Sequence, residues 1–140
     1  MSENLPKKRS EAGFTLMELI MVLVILGMIA AFAGPNLYNK FMKSRDYIAK
    51  IQIGDLEGAL QLYSFDLGRF PSTSEGLNAL VQNTAGADIW KGPYLNKGVP
   101  NDPWERPYGY RSPGNHGEYD LFSVGADGEE GTEDDICSWK

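Results

Sequence analysis

Gly13-Phe14-Thr15-Leu16-Met17-Glu18 opens an apolar run that continues to Ala33 with no ionisable side chain other than Glu18. The run, residues 14–33, is twenty residues long. As an α-helix that is enough to cross about 30 Å of hydrocarbon. It is too long for the apolar core of a secretory signal, and no small-residue cleavage site follows it. Glu18 is the anomaly. A carboxylate in a membrane helix costs roughly 2.5–3.5 kcal/mol at mid-bilayer and less near an end, so it calls for a cationic partner.

Lys7-Lys8-Arg9 precedes the run, while Lys40, Lys43, Arg45 and Lys50 follow it. With cations on both flanks, counting them does not fix the orientation. Past the membrane stretch the helix is expected to continue. Ile48, Ile51, Leu56, Ala59, Leu60, Tyr63 and Leu67 recur at helical spacing and define one apolar face. Gly68, with Pro71 soon after, is the stop signal. A helix from Phe14 to about Asp66 would be roughly 80 Å long. Gly34-Pro35 interrupts it with a missing donor and a steric clash, which predicts a kink or local melting there.

Ser72-Thr73-Ser74-Glu75 has capping-box spacing and predicts a second, short helix with Leu77, Leu80 and Val81 on its apolar face. From Trp90 onward the chain reads as turns and short strands. Residues 108–111 and 118–123 form two strands joined through 112–117, and residues 135–139 supply a third. The expected fold is α+β: a long N-terminal helix packed on a short helix and a small three-stranded antiparallel sheet. Trp90, Trp104 and Trp139 are expected to pack in the core.

Composition excludes several functions. The chain has 140 residues and net charge −6, with eight of its nineteen acids between Glu118 and Asp135. No basic stripe exists to neutralise phosphates, so nucleic acid is not an expected partner. A lone cysteine, Cys137, cannot make an internal disulfide. His116 is the single histidine, no serine sits in a nucleophile elbow and no glycine-rich phosphate loop precedes a helix. No catalytic residues are expected.

Residues 125–135 pack six acids and three glycines into eleven positions. Such carboxylates repel one another, and a hard dication that takes six to eight oxygen ligands would relieve them. The loop is not an EF-hand: counted from Asp127, Thr132 stands where glycine belongs and Ser138 where glutamate is required.

The basic leader, Gly13 and Phe14-Thr15-Leu16-Met17-Glu18-Leu19 resemble the class III signal shared by type IV pilins and pseudopilins. Trp90-Lys91-Gly92-Pro93-Tyr94, Asp102-Pro103-Trp104, Tyr119-Asp120-Leu121 and Gly125-Ala126-Asp127-Gly128 together resemble the major, G-type pseudopilins of type II secretion. Glu105 departs from that pattern, which usually has glycine after the tryptophan.

The resemblance implies a type IV pilin-like fold divided into a removed leader (1–13), a transmembrane and filament-core segment (14–34) and a periplasmic domain (35–140). It implies cleavage between Gly13 and Phe14 by a prepilin peptidase, N-methylation of Phe14, and pairing of Glu18 with the Phe14 ammonium of a neighbouring copy. It also implies Ca2+ in the loop 123–136, held by Asp127, Asp134, Asp135 and the Val124 carbonyl, with Glu129, Glu130 and Glu133 facing solvent. The expected function is that of the structural subunit of a periplasmic pseudopilus growing from the inner membrane to drive export of folded proteins through the outer membrane. The alternative is an adhesion or motility pilin. Implied partners are further copies of the chain, the peptidase and methylase, minor pseudopilins, the inner-membrane assembly platform and membrane lipid.

Overall fold

Helix α1 spans Leu16–Leu67 in the computed structural model, which describes residues 13–140. The leader cations Lys7, Lys8 and Arg9 lie outside the described residues. Thr15 starts α1: its carbonyl accepts from Leu19 N–H at 3.1 Å and its hydroxyl from Glu18 N–H at 3.2 Å. Thr15 and Glu18 thus stand at capping-box positions. The helix runs unbroken through Gly34-Pro35, so the expected melting does not occur. Proline withholds one donor, and the helical bonds on either side carry the chain across. Gly68 ends the helix at φ 72°, with its N–H bonded to Ser64 O at 2.8 Å.

The chain divides into two units, residues 1–40 and 41–140. Every described side chain of the first is exposed, and α1 is long and apolar enough to cross a bilayer.

The second unit holds the core. Ala49, Ile53, Leu56, Ala59, Leu60 and Tyr63 of α1 are buried with Leu77, Ala79, Leu80, Tyr108, Leu121 and Ile136. Ile48 and Ile51, expected on this face, are instead 44% and 48% exposed. The stripe that fits the period runs through Ala49 and Ile53, which leaves the two larger residues on the outer side. Tyrosine hydroxyls tie the layers together: Tyr94 donates to Asp66 at 2.8 Å, Tyr108 to Gln52 at 2.5 Å and Tyr110 to the Pro71 carbonyl at 2.8 Å.

The predicted capping box forms, with Glu75 N–H donating to Ser72 Oγ at 3.3 Å and Ser72 N–H to Glu75 Oε2 at 2.7 Å. The helix beyond the box is shorter than expected. Gly76 at φ 60° breaks the turn, and only a 3-10 helix, Leu77–Leu80, remains. Arg69 grips Glu75 through two nitrogens at 2.7 and 2.8 Å. That fork holds the Glu75 carboxyl down to about 2.

Strands β1 (Gly109–Arg111), β2 (Asp120–Ser123) and β3 (Ile136–Cys137) form one antiparallel sheet in the order β1-β2-β3. Tyr110 pairs with Leu121, and Ser123 with Ile136. The central strand β2 is buried along its whole length. Trp90 and Trp104 pack against the core, and Trp90 Nε1 donates to Ala79 O at 3.0 Å. Trp139 stacks instead on His116, with ring centroids 4.0 Å apart.

Candidate functional site

Gly13, Phe14 and Thr15 are non-helical and exposed. The Gly13–Phe14 peptide therefore lies outside the α1 hydrogen-bond ladder. Glu18 sits in the first turn of α1, exposed, where the positive end of the helix favours a carboxylate.

The second site is the acidic loop between β2 and β3. Its start is fixed by a buried node at Asp102, which is 4% exposed. Asp102 Oδ1 accepts from Trp104 N–H at 3.0 Å and Arg106 N–H at 2.9 Å, and Oδ2 accepts from the Ser123 hydroxyl at 2.6 Å. This aspartate, in an Asp-Pro turn, closes its own loop and holds the end of β2. Within the turn Glu105 adopts φ 65°. The glycine-like conformation is kept although the residue is not glycine.

Arg106 enters the acidic loop directly. Its Nη1 donates to Gly125 O at 2.7 Å. A Cβ on Gly128 would lie 2.7 Å from the Arg106 Cζ, so the guanidinium rests on that glycine. Gly125 is equally constrained: at φ 64°, its Cβ would lie 2.3 Å from the Asp134 carbonyl oxygen and 2.8 Å from Asp134 Oδ2. These glycines bring the two limbs of the loop into contact.

Thr132 organises the far limb. Its hydroxyl lies 2.6 Å from Asp134 Oδ1, 3.4 Å from Asp135 Oδ1 and 3.2 Å from the Glu129 carbonyl, and the single proton goes best to Asp134. Asp134 Oδ2 also accepts from Asp127 N–H at 3.0 Å. The Thr132 hydroxyl first, then the Asp127 N–H, hold the Asp134 carboxyl down to about 2. Asp135 Oδ2 accepts from Gly131 N–H at 2.7 Å.

Of the expected ligands, Asp134 and Asp135 stand together around Thr132, and Asp127 joins them through its backbone. The Asp127 carboxylate turns to Glu129 N–H at 2.8 Å. Val124 links β2 to Gly125. Among the described residues no three His, Cys, Asp or Glu side chains converge as a metal cluster, nor does any cation lie within 4.0 Å of Asp127, Asp134 or Asp135. The expected donors are oxygens throughout, the donor class Ca2+ takes, and Lys50 and Lys140 line a cleft with Asp134 and Asp135. Glu130, expected to face solvent, pairs with Arg111 at the surface.

Arg106, Asp102 and Ser123 were not singled out as site residues by the sequence. The only hint is Asp102-Pro103, which marks a turn but not what the turn touches.

His116 and Cys137, the residues nearest to a catalytic pair, line one cleft of about 280 Å3 beside the loop. The His116 ring and backbone are engaged by Asp120, which is fully buried. Burial alone would raise the Asp120 carboxyl, but hydrogen bonds from Asn115 N–H, His116 N–H and the His116 ring outweigh it and hold the group below its ordinary value. Burial pushes the Cys137 thiol up, away from the thiolate a nucleophile needs.

Known proteins resemble the chain along nearly its whole length. Residues 8–34 match the prokaryotic N-terminal methylation motif, and residues 36–139 match the family described as type II secretion system protein G. The chain is 44% identical over 137 residues to type II secretion system core protein G of Aeromonas hydrophila, covering 95% of each chain. It is 41% identical over 140 residues to the core protein G of Pseudomonas aeruginosa, covering 95% of this chain and 98% of that one. Its fold resembles the crystal structure of the major pseudopilin from the type 2 secretion system of enterohaemorrhagic Escherichia coli. The TM-score is 0.61 with 34% identity, over 75% of this chain and 95% of that one. A membrane-length helix that carries the methylation motif, continuous with a domain that matches over nearly all its length, places the chain in the protein G family of the type II secretion system.

Proposed function

We propose that this chain acts as a trimmed, methylated and calcium-locked building block. Its membership of the protein G family makes it a structural subunit, the major pseudopilin of the type II secretion pseudopilus, and not an enzyme. A single N-terminal helix anchors it in the inner membrane, with the C-terminal domain in the periplasm. The observation that carries this reading is the pairing of the methylation motif with the protein G domain on one chain.

In the proposed maturation, a prepilin peptidase hydrolyses the Gly13–Phe14 peptide and the new Phe14 amine is methylated. The Phe14 ammonium of one copy then meets Glu18 of the next. Neither charge is then left unpaired in lipid, and their contact fixes the stagger between copies. Removing one partner of such a buried pair costs about 3–5 kcal/mol. Minor pseudopilins and the inner-membrane platform would guide addition, and filament growth would carry folded cargo outward.

Asp127, Asp134 and Asp135, with the Val124 carbonyl, would hold Ca2+, whose charge would offset the repulsion among the loop's carboxylates. Thr132 holds Asp134 and Arg106 fixes the start of the loop at Gly125 and Gly128, and on this frame the Asp127 carboxylate would swing from Glu129 N–H to join Asp134 and Asp135.

Two measurements test the proposal. Mass analysis and N-terminal sequencing of membrane-extracted protein should find Phe14 first and one added methyl group, while Glu18→Ala should still be cut but join filaments poorly. Normal filaments from Glu18→Ala would remove its role. Thermal melting of the full chain in detergent should shift upward with Ca2+ against chelator. Saturation at a hundred times the dissociation constant adds about 2.7 kcal/mol, and equal midpoints would remove the metal site.

A further inference from the structure

Two arginines reach the acidic loop, and they use it differently. Arg111 pairs with the Glu130 carboxylate at the surface. Arg106 donates to a backbone carbonyl instead, Gly125 O, at 2.7 Å. Among the described residues no carboxylate comes within 4.0 Å of the Arg106 guanidinium, although residues 125–135 hold six acids. An arginine that passes over every carboxylate of such a loop to bind a peptide carbonyl is holding backbone, not balancing charge.

The backbone it holds is clamped on both sides. Gly125 N–H donates to Ser123 Oγ at 3.2 Å, and the Ser123 hydroxyl donates in turn to Asp102 Oδ2 at 2.6 Å. Gly125 O accepts from Arg106, whose own backbone N–H donates to Asp102 Oδ1 at 2.9 Å. Asp102 and Ser123 are both buried, so the clamp is anchored in the core. The Val124–Gly125 peptide is trans, and in a planar trans unit the N–H and C=O point opposite ways. Fixing Gly125 N–H therefore fixes the direction of the Val124 carbonyl, one of the expected Ca2+ donors. The opposite limb of the loop rests on the same glycine: a Cβ there would meet Asp134 O at 2.3 Å and Asp134 Oδ2 at 2.8 Å. Holding Gly125 thus sets two donors at once.

We propose that Arg106 and Ser123 are positioning residues for Ca2+, clamping Gly125 so that the Val124 carbonyl and the Asp134 carboxylate are held for one cation. The inference rests on the calcium reading of the loop and names the residues that set its affinity. The sign of the effect separates this role from electrostatics. A guanidinium beside a dication repels it, so on charge alone removing Arg106 would tighten binding. Removing a group that orients metal donors weakens binding, typically by about 10–100-fold.

The test is calorimetric titration of Ca2+ into the full chain in detergent, stripped beforehand with chelator. Arg106→Gln should raise the Ca2+ dissociation constant at least about tenfold. Ser123→Ala removes the acceptor of Gly125 N–H without touching a charge, and should raise the constant as well. Arg111→Gln takes the same charge from the same loop and should leave the constant unchanged or lower it. Thermal melting in chelator reads the metal-free fold separately. A purely structural Arg106 would lower that midpoint and leave the dissociation constant alone. If Arg106→Gln does not melt cooperatively, Ser123→Ala decides by the same criterion. A parent chain that binds Ca2+ while Arg106→Gln binds it equally or more tightly overturns the positioning role and spares the calcium reading. Equal weakening in Arg111→Gln also overturns that role. A parent chain that takes up no Ca2+ overturns the calcium reading, and this inference with it.

Discussion

Replacing Glu105 with glycine should make the protein more stable. Glu105 holds φ 65° in the turn that Asp102 closes, with its N–H bonded to Asp102 O at 2.9 Å. A residue with a Cβ costs about 1–2 kcal/mol in that left-handed region. Glycine avoids the strain but loses more freedom on folding, about 0.4–1 kcal/mol. The Glu105 side chain is exposed, so little packing goes with it. The net gain for Glu105→Gly is about 0.5–1 kcal/mol. For a unit of this size that corresponds to roughly 2–8 °C in melting temperature. Thermal unfolding of the full chain in detergent, followed by circular dichroism with Glu105→Ala in parallel, provides the assay. Alanine keeps the Cβ and should leave the midpoint near that of the parent. If alanine stabilises as much as glycine, the gain comes from removing the charge, and the strain argument fails.

The other predictions concern the loop and the Arg69–Glu75 clamp. Gly125→Ala combines positive φ with a Cβ 2.3 Å from the Asp134 carbonyl oxygen, and should cost about 2–5 kcal/mol in denaturant unfolding. Gly131→Ala, at φ 92° with open space around it, should lose only the strain, about 1–2 kcal/mol; equal losses would show that close packing at Gly125 does not matter. The Arg69 fork holds Glu75 at about 2, below its ordinary value. Its stabilisation is therefore complete above the usual carboxylate range and lost as pH falls from about 4.5 toward 2. Glu75→Gln should flatten that part of the stability–pH curve, and an unchanged slope would place the acid sensitivity elsewhere.

The sequence was most legible where one local period governed the outcome. Helix α1 was readable almost from end to end, because an apolar run and an amphipathic stretch share one helical spacing and Gly68 stops it. The three strands were readable from the turn signals that bound them. Side-chain size misled at Ile48 and Ile51. A reading that favours large apolar residues passes over Ala49, although Ala49 keeps the period. Ser72 and Glu75 formed their box, yet Gly76 cut short the helix it announced. The acidic loop was legible as a charge cluster, but its framework was not. Arg106 reaches Gly125 across nineteen residues, and nothing local to either residue announces the contact.

The sheet has a consequence for a protein whose work is to polymerise. Its outer strands are only three and two residues long. A row of unpaired backbone groups is a template for strand addition, and short edges blunt it. Crowded copies of this domain therefore offer one another little to stitch onto, and fibre growth stays under the control of the helix rather than running away into a cross-β aggregate.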